Sequence, residues 1–365
     1  MIHALICLNH ETYRLPGLFR KLESLVQTQI LEDGGHKSRS PLIQLMVLRM
    51  LIDLRSLLRG LKYGVTDQDF EGVNGEFLKK NASKKGAHKL TDTSDKGIVF
   101  LLLVLLQKTI TQMAPLVRLF RHGDGSLACF GPYHRLNPNV VDMVLTLADV
   151  RGRPPASARH MGYERSTSKT GLVLMNLKPS TLRSPSNVVE QGTGIFNFEW
   201  STPCQRLITY SDIVIQSESF GQGVAAQATE SKHGYFSFQH KAHSQGTLLE
   251  AEYQSHHPSW NFSQTRSLFL SNEALDFRGE DLLASHLRGV YAIRFVMHPD
   301  LRIIQRDKRI YIDSPDGQRW ICLSNSSEVH IETLETSYPA QMILLLGEIS
   351  PNQPCKVRWA FKSEG

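Results

Sequence analysis

Two short segments of this chain gather titratable and cationic side chains around glycines. The first, Glu32-Asp33-Gly34-Gly35-His36-Lys37-Ser38-Arg39-Ser40-Pro41, puts an imidazole and two cations on a double-glycine turn between apolar stretches. Such a loop can offer hydrogen-bond donors and positive charge to an anionic group at a domain rim. The same residues also suit a plain glycine turn with solvated charges, followed by a helix cap at Ser40. The second segment, Phe120-Arg121-His122-Gly123-Asp124-Gly125-Ser126-Leu127-Ala128-Cys129-Phe130, follows a helix end, where glycine and a cation also serve as C-cap and dipole partner. Histidines recur later in the chain, at positions 233, 240, 243, 256, 257, 286, 298 and 330. His240 and His243, three apart, fall on opposite faces of a strand and do not form a chelating pair. His233, in Glu230-Ser231-Lys232-His233-Gly234-Tyr235, stands at the entry to a strand, either as a base aimed at a facing domain or as a structural imidazole.

No P-loop, GxGxxG, GxSxG, HExxH or EF-hand pattern occurs, which removes the usual nucleotide, hydrolase, zincin and calcium readings. The five cysteines are scattered without CxxC spacing, so neither a disulfide framework nor a cysteine zinc site is expected, and they read as buried thiols. Lys and Arg number 41 against 35 Asp and Glu, and the excess is uneven: residues 1–150 hold 19 basic and 14 acidic residues, the remainder 22 and 21. A basic first part favours a polyanion, and no Lys/Arg block or aromatic RNA-binding pattern singles out nucleic acid. The longest apolar run, Ile98–Leu106, is nine residues where a bilayer needs about twenty, so no transmembrane segment is expected. The opening MIHALICLNH lacks a basic n-region and a full apolar core, which as written places the chain in the cytoplasm.

Two periodicities must position these residues. Leu15, Leu18, Phe19, Leu22, Leu25, Val26 and Ile30 form one helical stripe, and a second helix starts from Ser40 as cap and Pro41 as first residue, apolar nearly all round and so expected to be buried. Further helices are predicted over about Ile98–Phe120, with Pro115 as a kink, and Val140–Val150. Residues 62–97 carry no sustained periodicity and read as a surface insertion. From about residue 157 the pattern turns to a dozen short alternating runs, with a hairpin turn at Ser314-Pro315-Asp316-Gly317. The expected architecture is α+β multidomain: a helical domain over 1–150, the linker Arg151–Ser157, and a large antiparallel β-sandwich over 157–365.

In their order along the chain, QILEDGGHKSRSP (29–41), APLVRLFRHGDGSLACF (114–130), GYERS (162–166), ATESKHGYFSF (228–238), FRGEDLL (277–283) and YAIRFVMHPDLR (291–302) resemble the heparinase II/III-like family of polysaccharide lyases. The resemblance covers most of the chain outside the insertion. It implies a partial (α/α) toroid followed by the sandwich, an N-terminally truncated chain, and β-elimination on uronic-acid polysaccharide of the heparin or heparan type. In that chemistry one group neutralises the uronate, a base takes the α-proton and an acid protonates the leaving oxygen. By resemblance His36 takes the neutralising position and His233 is the sandwich histidine of the cleft. Tyr133 is the candidate tyrosine, since His122 occupies the HGDG position where the tyrosine is sought. Arg39, Lys37, Arg121, His122 and His256 are the candidate substrate contacts. No cofactor is expected; a structural zinc, found in relatives with a richer His/Asp cluster, has no such cluster here. The resemblance also implies an acidic polysaccharide as partner and a periplasmic or cell-envelope location. The alternative is a truncated, inactive carbohydrate-binding or cell-envelope protein.

Overall fold

The structure, a computed structural model, describes residues 15–60, 95–130, 136–178, 196–217, 234–255, 261–272, 276–307, 309–335 and 339–364. Four helices come first among these: α1 (Leu15–Gln29), α2 (Pro41–Gly60), α3 (Asp95–Leu119) and α4 (Pro138–Ala148). Their starts are set by local chemistry. Ser40 Oγ accepts from Ile43 N at the head of α2, and Asn137 Oδ1 accepts from Asn139 N at the head of α4, where Pro138 is the first residue. Leu45, Leu48, Ile52 and Leu58 of α2 pack with Val99, Leu102, Leu106, Ile110 and Val117 of α3. α2 is less enclosed than its sequence predicts, because Met46 and Met50 lie outside, 55% and 60% exposed.

α3 continues unbroken through Pro115 and is 25 residues long. Its Gly97–Leu119 stretch is long and apolar enough to cross a membrane by length and composition. The nine-residue run opens this stretch, and isolated Gln107, Lys108, Thr109, Thr111 and Gln112 interrupt the apolar sequence without ending the helix. In the fold, half of that window is buried, and it is the central helix of the helical core. The expected insertion lies mostly outside the described residues.

The first strand begins at Ser157. The strands among the described residues are β1 (Ser157–Ala158), β2 (Tyr163–Thr167), β3 (Leu172–Asn176), β4 (Phe198–Ser201), β5 (Arg206–Ser217), β6 (Gly234–His243), β7 (Gly246–Ser255), β8 (Phe262–Ser271), β9 (Asp276–Ser285), β10 (Gly289–Met297), β11 (Arg302–Arg306), β12 (Arg309–Asp313), β13 (Arg319–Ser324), β14 (Glu328–Leu334), β15 (Ala340–Ile349) and β16 (Cys355–Ser363). They form two antiparallel sheets of eight, ordered β1-β2-β3-β4-β5-β10-β15-β14 and β11-β12-β13-β16-β9-β8-β7-β6. The expected hairpin turn is present, with Gly317 N donating to Ser314 O at 3.0 Å. Period-two alternation sends Phe262, Leu268 and Leu270 of β8 inward against Ile293, Phe295, Ile343 and Leu345 of the facing sheet. Inside this apolar layer Arg266 is fully buried and paired with Asp281 at 2.6 Å, and Trp359 Nε1 donates to the same carboxylate at 2.9 Å. Gly279 makes that arrangement possible, because a Cβ there would sit 2.0 Å from Trp359 Cζ2. Gly279→Ala is therefore expected to destabilise by about 1–3 kcal/mol through overpacking; a lower denaturant midpoint with unchanged slope is the readout.

The helices do not form a core apart from the sandwich. Met161, Tyr163, Leu172 and Leu174, on the outer side of the first sheet, belong to the helical core, where the Tyr163 ring lies 4.9 Å from Phe120 and 4.7 Å from Phe130. The first sheet is thus covered on both faces near β2 and β3. Of the cysteines described, Cys129 and Cys322 are buried as expected, Cys355 is half-buried and Cys204 is exposed.

Candidate functional site

Each glycine-bearing loop closes on itself by a single β-bridge, Ile30 with His36 and Arg121 with Leu127, and each then docks on the sandwich. In the first loop Asp33 fixes both the turn and the dock: its Oδ1 accepts from Gly35 N, and its Oδ2 accepts from His160 N at 2.8 Å and Met161 N at 2.9 Å. Gly34 and Gly35 permit that close approach. A Cβ on Gly34, at φ 86°, would lie 2.2 Å from Gln112 O, and one on Gly35 2.0 Å from Met161 Cγ. Gln44, fully buried on α2, receives His36 N at 2.7 Å and donates to Gly34 O and Met113 O. The backbone of His36 is therefore held by a buried amide.

The imidazole of His36 is half-buried, and burial holds its pKa below the ordinary value of 6.5, so the ring is neutral at neutral pH. Ser38 N donates to Nδ1 at 3.1 Å and Ser38 Oγ lies 2.8 Å from the same nitrogen. Nδ1 is the acceptor, so the neutral ring carries its proton on Nε2. Among the described residues Nε2 has no hydrogen-bond partner, which leaves one N–H donor for a ligand. Lys37 beside it is exposed. This pair presents a donor and a cation, the combination that recognises a carboxylate.

Arg39 stands differently from its sequence reading as a cation for an acidic sugar. Its Nε donates to Met161 O at 2.7 Å, its Nη2 to Asn176 Oδ1 and Lys178 O, and its guanidinium lies 5.6 Å from the Tyr163 ring centroid. Tyr163 Oη in turn donates to Arg39 O. The guanidinium is committed to the joint between helices and sandwich, and its burial lowers its pKa.

The second loop makes a stronger joint. His122, read as a substrate contact, has a completely buried side chain. Its Nε2 donates to Glu199 Oε2 at 2.8 Å and its Nδ1 accepts from Ser201 Oγ at 2.9 Å. The same carboxylate pairs with Arg206 Nη2 and accepts from Cys129 N and Phe130 N. Arg206 Nη1 reaches back to Leu127 O at 3.0 Å. Burial opposes the charge on Glu199, but Arg206, His122 and the backbone donors overcome it and hold its pKa below the usual carboxylate value. Burial first, and Arg206 second, depress the pKa of His122. Arg121 is half-exposed and paired with Asp142 at 2.6 Å. Arg165 of β2 donates to Leu119 O and Arg121 O, satisfying carbonyls at the C-terminal end of α3. Tyr133, His233 and His256 lie outside the described residues.

A pH dependence follows. His122 protonates in the unfolded chain near 6.5 and only at lower pH in the folded one, so this contribution to stability is complete above 6.5 and is lost as pH falls below it. Glu199, with its depressed folded pKa, adds loss in the same direction below the ordinary glutamate value of 4.5. Denaturant midpoints should fall from pH 7.5 to pH 5, and His122→Gln should flatten the upper part of that slope. A wild-type midpoint independent of pH over this range would count against the buried neutral imidazole.

Sequence reasoning missed Glu199, Arg206, Gln44 and Asp33. A carboxylate between Phe198 and Trp200 in a run of strand residues was a usable signal, because a strand buried on both faces admits a charge only with a partner.

The order of these elements, helices docked by two loops on a two-sheet sandwich, is matched by known proteins. Residues 216–341, from β5 to the start of β15, match the model of the heparinase II/III-like C-terminal domain. This segment is similar to the C-terminal domain of the heparinase II/III-like family. Heparan sulfate lyase HepC from Pedobacter heparinus superposes with a TM-score of 0.59 at 11% identity, covering 96% of this chain and 56% of that one. A heparinase III gene product superposes at 0.62 and 13% identity, covering 100% of this chain and 58% of its own length. At these identities the likeness is one of fold. FtsZ-localized protein C of Caulobacter vibrioides is 25% identical over 305 residues, 71% of this chain and 52% of that protein. The chain thus spans about half the length of the relatives it matches. No group of three His, Cys, Asp or Glu residues able to hold a metal is present among the described residues.

Proposed function

We propose that this chain binds uronic-acid-containing polysaccharide at the rim between its helices and its sandwich, and cleaves it by β-elimination. The observation that carries the reading is the Nε2–H of a neutral His36, which meets no acceptor among the described residues and is held by Gln44 and Ser38 beside exposed Lys37. A uronate carboxylate accepting from that donor becomes easier to convert to the dianion formed when the α-proton leaves. The base is assigned to His233, which precedes β6. β6 borders the same rim: Phe236 packs 5.8 Å from Phe196, next to Asn197, whose carbonyl accepts from the backbone of Asn176, the residue that holds Arg39. Tyr133 is assigned as the acid for the leaving oxygen, and the four helices as part of an (α/α) toroid. His256 is assigned to the substrate, and a periplasmic or cell-envelope setting suits a polymer substrate. Formation of an unsaturated uronic acid, followed by its ultraviolet band, tests the reading; His233→Ala should abolish the product while leaving polymer binding in place.

A second reading is a carbohydrate-binding or cell-envelope protein that does not cleave; the 25% identity to a protein named for its localization with FtsZ favours looking beyond polymer cleavage. Under it, folded protein binds polyuronate and releases no unsaturated product.

A further inference from the structure

We propose that the outer face of the second sheet is a separate binding site for anionic polysaccharide. It lies on the side of the sandwich away from the helices, whose core is built on the first sheet. Strand register places Leu323 of β13, Ala360 of β16, Arg278 of β9, Phe269 of β8 and Leu248 of β7 in one row across five strands. That row is the floor of a groove of about 640 Å³ and crosses four interstrand spacings, about 19 Å. Ala360 keeps the middle of the floor low, and Phe269 and Leu323 give it apolar surface. Lys362 rims one side; Arg358, Glu280 and Ser267 rim the other.

The groove itself is lined by three cations, Arg278, Arg358 and Lys362, and one carboxylate, Glu280. Around it Asp276 pairs with Arg278, Lys356 with Glu280, and Glu250 accepts from Ser267 Oγ at 3.2 Å. The Arg278 and Arg358 side chains are 55% and 66% exposed even while paired. Lys362 is exposed and makes no ion pair with a described residue. Guanidinium groups over an apolar strip suit a chain of sugar rings, whose C–H faces lie on Phe269 and Leu323 while carboxylate or sulfate groups meet Arg278, Arg358 and Lys362. A polymer held here would be kept close to the protein without passing through the rim.

The proposal extends the ligand class of the rim to another surface, and its test reads binding alone, so a protein without lyase activity still decides it. Affinities of the full chain for a heparin-like polymer, neutral dextran, anionic-lipid vesicles and single-stranded DNA are measured in wild type, His36→Ala, Lys362→Gln and Arg358→Gln/Lys362→Gln. The expected result is retained polymer binding in His36→Ala, and a loss of about tenfold or more in the double variant, with a smaller loss in Lys362→Gln alone. Wild-type affinity in the double variant, complete loss in His36→Ala, or tighter binding of dextran, vesicles or DNA than of the polymer would overturn it.

Discussion

Replacing Glu199 by alanine is expected to cost the folded protein about 3–5 kcal/mol, the largest stability effect of any single rim substitution. The magnitude follows from what the carboxylate leaves behind. Arg206 is fully buried, and without Glu199 it loses the carboxylate it is paired with, while Cys129 N, Phe130 N and His122 Nε2 lose their acceptor. Burial alone would lower the Arg206 pKa; Cys129 first, then Glu199 and Asp124, raise it. Glu199→Gln keeps an acceptor for part of the network and should cost less than the alanine variant. The check is urea denaturation followed by two probes, near-ultraviolet circular dichroism of the sandwich tryptophans and far-ultraviolet signal of the helices. Because the carboxylate joins the loop after α3 to β4 and β5, the two transitions should move together in the variant. A change below about 1 kcal/mol would mean that the network contributes no more than an exposed ion pair.

His36→Ala is expected to weaken binding of a short oligouronate by about 10- to 150-fold, the loss of one hydrogen bond to a charged group, about 1.5–3 kcal/mol. The donor is Nε2–H, so His36→Gln, which places an amide donor nearby, should recover part of that loss, and His36→Phe should not. Lys37→Gln should matter less, because an exposed cation is screened by salt. Wild-type affinity should rise as pH falls below 6.5, where His36 gains a charge; its depressed pKa places this rise below the ordinary histidine range. Titration calorimetry at fixed ionic strength reads all four. Equal affinity in wild type and His36→Ala would remove His36 from the binding surface.

Much of the fold could be read from periodicity. The helix start at Ser40-Pro41, the change to strands at Ser157 and the hairpin at 314–317 each rest on a local rule with a local cause; the last helix, expected over about Val140–Val150, begins two residues earlier at Pro138, behind the Asn137 cap. The faces of the helices were less legible. α2 leaves Met46 and Met50 outside despite an apolar sequence on nearly every side, because burial depends on which neighbours are present and not on composition. α3, predicted over about Ile98–Phe120, runs over Asp95–Leu119, so its length was legible from the apolar period to within a few residues.

At the site, residue type proved a poor guide to availability. His36 and Arg39 sit three apart in one loop, yet one ring nitrogen stays open while the guanidinium is consumed by Met161, Asn176 and Lys178, more than a hundred residues away. His122 shows the same limit, since its partners Glu199 and Ser201 come from a strand that no local pattern connects to it. Such contacts are set by tertiary approach, and the glycines at 34 and 35 were the trace they left in the sequence.

The central claim is tested most directly by incubating the folded protein with heparin-like, chondroitin-like and alginate-like polymers and following the ultraviolet absorbance of an unsaturated uronic acid. A rise with at least one polymer is expected, reduced in His36→Ala and abolished in His233→Ala. A flat trace with every polymer, from protein that is folded and still binds polyuronate, would contradict the lyase assignment and leave the non-cleaving envelope protein in its place.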